Sequence, residues 1–150
     1  MNEKNTKGRE ADDSTKPGFS EIEKAAMKQR AKELKSKKNA AAAEEEVLGK
    51  ISEMSETESQ MATQLHNLIR DQFPELASRT WYGMPAYTKD GKVLCFFQSG
   101  SKFGSRYNTL GFSDLAQLDE GTFWPTSYAL TEWNAEVEAE ITRLIKKAIG

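Results

Sequence analysis

The chain is poor in the residues that carry most enzymatic chemistry: it has one cysteine, Cys95, and one histidine, His66, in 150 residues. A single cysteine excludes an intramolecular disulfide and any CxxC metal or redox motif, so a reducing, cytoplasmic setting is expected. Cys95 stands among Val93, Leu94, Phe96 and Phe97. Apolar burial raises a thiol's pKa, and no His or Lys is placed by sequence to lower it, so a buried structural thiol is expected rather than a nucleophile. His66 sits at the border of a helical apolar stripe with no His, Cys or Asp at i+4 to share a metal, and it reads as a packing or surface residue. It has no sequence-local partner that would suggest a catalytic triad. A phosphate loop is missing too, because Gly100-Ser-Lys-Phe-Gly104 lacks the spacing and leads to a strand rather than a helix; it reads as a turn. No apolar run approaches the length of a membrane helix, and Met1 to Gly18 holds no apolar signal core, so neither secretion nor membrane insertion is expected.

What is present is a soluble composition, 29% charged and 37% hydrophobic, in a length that accommodates one domain with a real core. Charge is unevenly placed. Residues 1–43 carry 11 Lys/Arg against 7 Asp/Glu, a net of +4, and residues 44–150 carry 10 against 16, a net of −6. An acidic core domain argues against non-specific nucleic-acid binding by the domain itself, since that binding draws its affinity from neutralised phosphates.

Residues 1–18 have almost no apolar content and end in Pro17-Gly18, so a disordered tail is predicted there. A helical extension, residues 19–54, follows. Ser20 and Glu23 form a capping box, and Ile22, Ala26, Met27, Ala31 and Leu34 make a thin apolar stripe through Lys-rich sequence. Asn39 is a possible break, and Val47, Leu48, Ile51 and Met54 continue the stripe, so one long helix and two joined helices both fit. A firmer helix then carries Met61, Ala62, Leu65, Leu68, Ile69 and Phe73 on one face, capped by Ser55/Glu58 or Thr57/Gln60 and stopped by Pro74.

From Arg79 the apolar period becomes two. Strands are predicted near Arg79 to Tyr82, Ala86 to Thr88, Val93 to Gln98, Ser105 to Phe112 and Thr122 to Leu130, with Asp90-Gly91 as a tight hairpin turn and Pro125 marking an edge strand or bulge. A last helix starts at about Asn134, with Val137, Ile141, Leu144, Ile145, Ala148 and Ile149 in one stripe and its charges following the macrodipole. The fold class is therefore α+β: an antiparallel sheet of about five strands with helices before and after it, in a domain spanning residues 55–150, plus the N-terminal extension. In strict alternation Val93, Cys95 and Phe97 face one way and Leu94, Phe96 and Gln98 the other, so both faces of that strand carry apolar residues. Either the extension closes the second face, which is the expectation, or that face is an exposed binding surface.

The run Trp81-Tyr82-Gly83-Met84-Pro85-Ala86, the Gly-turn and apolar strand after it, the later Gly121-Thr-Phe-Trp-Pro and the C-terminal helix together resemble the YdhG-like bacterial domain family of unknown function, over roughly Glu44 to Gly150. The resemblance implies a frataxin-like α+β fold and, for some members, a role as an intracellular iron chaperone. Many members have a Lys-His pair where this chain has Ser101-Lys102-Phe103-Gly104-Ser105-Arg106-Tyr107. Lys102 or Arg106 would have to stand in for that histidine, and these bind anions but not metals.

Two candidate sites follow. Glu53, Glu56 and Glu58, in an acidic segment with Glu44, Glu45 and Glu46, are the metal candidates, because hard carboxylate oxygens suit weakly held iron; their plainer reading is a solvated face complementing a helix N-terminus. Trp81, Tyr82, Met84, Tyr87, Arg106 and Trp124 are the ligand candidates, apolar walls with a cationic anchor for a small anion or a peptide, although most such aromatics serve as core. The basic residues from Lys24 to Lys38 read as a solvated helix face rather than a nucleic-acid site. The expected function is non-enzymatic binding: iron delivery first, with a small-anion, peptide or protein-interaction module as the alternative.

Overall fold

The chain is described here by a computed structural model covering residues 20–150. The predicted tail, residues 1–18, lies outside the described residues. Two units divide between Asn39 and Ala40, so the larger unit, Ala40–Gly150, begins within the segment read as an extension.

Helix α1 runs Glu21–Ser52 without a break at Asn39, as the helix formers on both sides of that residue favour. Its start is the predicted capping box: the Ser20 amide donates to Glu23 Oε1 at 2.9 Å and the Glu23 amide to Ser20 Oγ at 3.1 Å. In the Glu21–Asn39 part Ile22, Met27 and Leu34 stay exposed. In the Ala40–Ser52 part Val47 and Ile51 are buried in the main core.

Helix α2, Glu56–Gln72, takes Ser55 as its N-cap and ends at Phe73, where Pro74 cannot continue it. Helix α4, Ala135–Ile149, begins at Asn134, whose side chain accepts from the Val137 amide at 2.9 Å. Its last carbonyls are met from elsewhere in the chain. The Gln117 amide donates to Ala148 O at 2.9 Å and Lys89 Nζ to Ile149 O at 2.6 Å, which answers both the orphan acceptors and the negative end of the helix.

Between these helices the sheet is a meander of five antiparallel strands, β1 Ala77–Trp81, β2 Met84–Lys89, β3 Lys92–Gln98, β4 Asn108–Phe112 and β5 Ser127–Leu130, lying side by side in chain order. The β1–β2 and β2–β3 connections are two-residue turns with positive φ throughout, Tyr82-Gly83 at 51° and 75° and Asp90-Gly91 at 52° and 82°. Asp90-Gly91 was legible as such a turn; Tyr82 in a left-handed conformation was not, because bulky side chains rarely adopt it. The predicted fourth and fifth strands are shorter than expected. Gly100–Phe103 forms a single helical turn, α3, with Gly104 as its left-handed cap, and Pro125 precedes β5, which is indeed an edge strand.

The two-sided strand has a simple geometric resolution. Ala86 pairs with Phe96 and Tyr87 with Cys95, but Thr88 pairs with Val93, so Leu94 is an extra residue opposite the Tyr87/Thr88 step. A bulge of this kind turns two consecutive side chains to the same side. Leu94 and Cys95 accordingly both enter the core, with Tyr87, Phe97, Leu110 and Phe112, against α2, α4 and the end of α1. Ala40–Ser52 thus packs on the same face as α2, so this part of the extension does not close the second face. On that second face Trp81 and Phe96 are half-buried and stand outside the core cluster.

Core membership of α1 makes a direct prediction. Ile51→Ala should lower the unfolding free energy by about 2–5 kcal/mol, whereas Leu34→Ala, at an exposed site, should stay within about 0.5 kcal/mol of the parent. Urea unfolding followed by circular dichroism measures both, and equal effects would mean that Ala40–Ser52 is not core.

Candidate functional site

The six candidate ligand residues do not converge. Trp81 and Tyr82 meet edge-on, with ring centroids 4.9 Å apart, at the β1–β2 turn, and Tyr82 is 78% exposed. Tyr87 is fully buried and belongs to the core, so it lines no binding surface. Register explains why: its Cα partner is Cys95, on the helix-covered face. Trp124 packs against the edge of that core from the other end of the sheet. Met84 and Arg106 line two different cavities, with Arg106 exposed and its guanidinium 5.3 Å from the Tyr107 ring centre.

The candidate metal ligands separate as well. Glu53 lies 3.7 Å from Lys50, Glu56 is exposed in the first turn of α2, and Glu58 is turned inward at 9% exposure. Among the described residues no three His, Cys, Asp or Glu side chains come together in a way that could hold a metal ion. Iron carried as cargo therefore has no shared ligand set in Glu53, Glu56 and Glu58.

Glu58 has a different job. Its Oε1 accepts from the hydroxyls of Ser99 and Ser101 at 2.7 and 2.8 Å, and its Oε2 from the Ser101 amide at 3.0 Å. The Gly100 amide is held in turn by Asn108 Oδ1 at 2.8 Å. These bonds anchor α3 between the N-terminus of α2 and the start of β4. Burial pushes the Glu58 carboxyl upward, but the Ser101 amide and the hydroxyls of Ser99, Ser101 and Ser55 outweigh it and hold the group below its ordinary value. The capping-box spacing was visible in sequence. The diversion of the Glu58 side chain to partners more than 40 residues away was not.

His66 is likewise committed. It is 3% exposed, with Nδ1 2.9 Å from the Tyr87 hydroxyl and Nε2 2.9 Å from Glu44 Oε2. A carboxylate can only accept, so Nε2 carries the hydrogen, and in the neutral ring Nδ1 then accepts from the Tyr87 hydroxyl. The chain α1–α2–β2 is thereby bonded through one imidazole. Burial raises the Tyr87 hydroxyl's pKa and pushes the Cys95 thiol up to about 12, which leaves both as neutral core groups.

A cavity of about 240 Å³ opens where the C-terminal end of α1, the N-terminus of α2, the Tyr82-Gly83 turn and α3 meet. Met54, Met84, Phe97 and Phe103 give it apolar walls, and Lys50, Glu53, Ser99, Ser101 and Lys102 line it as well. Lys102 Nζ reaches the Gly83 carbonyl at 3.4 Å and stands 5.8 Å from the centre of the Phe103 ring. Among the described residues no carboxylate lies within ion-pair distance of Lys102. A second cavity, about 320 Å³, lies on the other side of Glu58 and Ser101 and includes Arg106, Tyr107, Asn108 and Thr131. Of the six ligand candidates Met84 lines the first cavity, and of the metal candidates Glu53 does. Lys50, Phe97, Ser99 and Phe103 were missed because their meeting is set by chain crossings, not by local spacing.

Comparison with protein-family models, with curated proteins and with solved structures found no match to this chain.

Two predictions follow from the buried polar groups. Tyr87→Phe leaves His66 Nδ1 without its donor and should cost about 1–3 kcal/mol in unfolding free energy, measured in urea. For Glu58 the sign is set by its lowered folded-state pKa: its stabilisation is present above the ordinary value of 4.5 and is lost as pH falls through the folded-state value. Glu58→Gln should therefore be less stable than the parent at pH 7, and the gap should narrow in unfolding curves taken at progressively lower pH. A gap that stays constant across that range would separate the hydrogen bonds from the charge.

Proposed function

We propose that this protein is a non-enzymatic binding protein whose α1–α2–α3 cavity takes a small anion with an apolar body. The observation that carries this reading is the pairing, in one cavity, of Met and Phe walls with Lys102, which meets a carbonyl and a ring but no carboxylate among the described residues. Apolar walls with a few placed polar groups are the usual composition of a ligand site, and a volume below the drug-sized range of about 300–1,000 Å³ suits a small metabolite. Lys102 supplies the charge, Glu53 in the same lining is paired with Lys50 at 3.7 Å, and Phe103 and Met84 bury the ligand's apolar part. Cys95 and His66 are both buried and neither lines the cavity, which favours binding over turnover. The YdhG-like resemblance is compatible with such a role; its iron-delivery branch receives no support from the dispersed Glu53, Glu56 and Glu58.

A ligand-observed NMR screen of small carboxylates and phosphate monoesters tests the reading. Hits should lose about tenfold in affinity, ~1.4 kcal/mol, in Lys102→Ala, and Met84→Trp should block them by filling the cavity. Arg79→Ala, outside the cavity, should leave them unchanged. A screen without hits, or hits indifferent to both Lys102 and Met84, would overturn it.

A further inference from the structure

The second cavity, about 320 Å³, is lined by one group of each charge, Arg106 and Glu58. Among the described residues no ion pair joins the two, and none links either of them to another charged side chain. Glu58 takes its hydrogen bonds from neutral donors, the Ser99 and Ser101 hydroxyls and the Ser101 amide. Against burial, which raises its pKa, these donors hold it below the ordinary carboxyl value and so ionised at neutral pH, but they bring no positive charge. Arg106 has only the Tyr107 ring beside its guanidinium, 5.3 Å to the ring centre.

A third group in the same lining is short of a partner. Asn108 is 6% exposed. Its Oδ1 accepts from the Gly100 amide at 2.8 Å, which fixes the other end of the side chain as the NH2 group. The partner of that group is the Met61 sulfur, at 3.8 Å. A thioether is a weak acceptor and an amide carries two hydrogens, so a buried donor in the cavity wall lacks an oxygen to receive it.

The charges decide the class of ligand. A simple anion drawn to Arg106 meets the uncompensated carboxylate of Glu58, and a simple cation drawn to Glu58 meets the guanidinium; a molecule carrying both charges close together satisfies both. We propose that this cavity binds the zwitterionic head of a free α-amino acid, with its carboxylate on Arg106 and the Asn108 amide and its ammonium beside Glu58. Guanidinium and carboxylate pair in a planar, bidentate way, and the Asn108 donor gains the oxygen it lacks. Met61, Tyr107 and Leu130 supply apolar surface for an aliphatic side chain, and the volume falls at the small end of the usual range of about 300–1,000 Å³. Glu58, Arg106 and Asn108 do not line the Lys102 cavity, so occupancy of one cavity does not require occupancy of the other.

Amide NMR spectra of the full-length protein titrated with L-leucine provide the test. Isocaproate and isoamylamine, which keep the leucine side chain and one charge each, serve as controls. Leucine should shift the amides of Arg106, Tyr107 and Asn108, and each control should bind about tenfold more weakly. Arg106→Ala, at an exposed position, should weaken leucine about tenfold while the circular dichroism spectrum is kept. Glu58→Gln should erase the preference for leucine over isocaproate; should that variant fail to fold, the two controls on the parent protein make the same comparison. Three results would overturn the inference: no shift with leucine, alanine or phenylalanine; isocaproate binding as tightly as leucine, which would make the cavity a plain anion site; or leucine shifts centred on Met84 and Phe103 and untouched by Arg106→Ala, which would place the amino acid in the Lys102 cavity and leave that cavity as the binding site.

Discussion

The register shift between β2 and β3 sets what each face of the sheet presents. One extra residue, Leu94, opposite the Tyr87/Thr88 step brings Leu94 and Cys95 together into the core. Without it, strict alternation would place Leu94 on the far side with Phe96, and that face would hold enough aliphatic surface to demand a second helical layer. With it, α2, α4 and the end of α1 cover one face completely, and the other is left with a thin aromatic row that rests on Gly111. Burying a fully covered Leu contributes about 1.5–3 kcal/mol, so the shift directs a substantial increment of stability to one side.

A second constraint is polar. The α1–α2 side of the molecule is tied to the sheet by groups that composition presents as reactive: His66 between Glu44 and Tyr87, and Glu58 beneath Ser99 and Ser101. Each is buried or nearly so, and each has its hydrogen-bonding capacity met, which is the condition for holding a polar group in a core at all. A carboxylate that binds the first turn of α3 is not available to a metal. The same bonds leave space on both sides of the Glu58–Ser101 link, and the two cavities occupy it. Cavity space here is a consequence of how a polar anchor is accommodated.

Periodicity carried much of the architecture. The stripes Met61–Phe73 and Val137–Ile149 produced α2 and α4 close to their true limits, Ser55, one of two candidate caps, and Asn134 marked their starts, and Asp90-Gly91 marked a hairpin, because each of these depends on interactions within about one turn of chain. The candidate site fared differently. Met84 lines a cavity, but it was grouped with Tyr87, which its register sends to the core, and with Arg106 and Trp124, which stand elsewhere. Glu58 was read as a surface acid because a capping-box glutamate ordinarily points back along its own helix, and its partners lie 41 and 43 residues ahead.

Sequence by itself determined the α+β class, the order of helices and strands, the buried neutral thiol and the separation of a basic N-terminal segment from an acidic remainder, all of which are local or additive properties. Tertiary structure alone decided which face of the sheet is covered, that the last part of α1 is core, and which carboxylates and lysines are consumed or left to line a cavity. Those outcomes turn on a single-residue bulge and on side-chain bonds between residues 21 to 43 positions apart. Neither leaves a periodic trace, since a bulge preserves composition and a long-range hydrogen bond is indifferent to the spacing of what it joins.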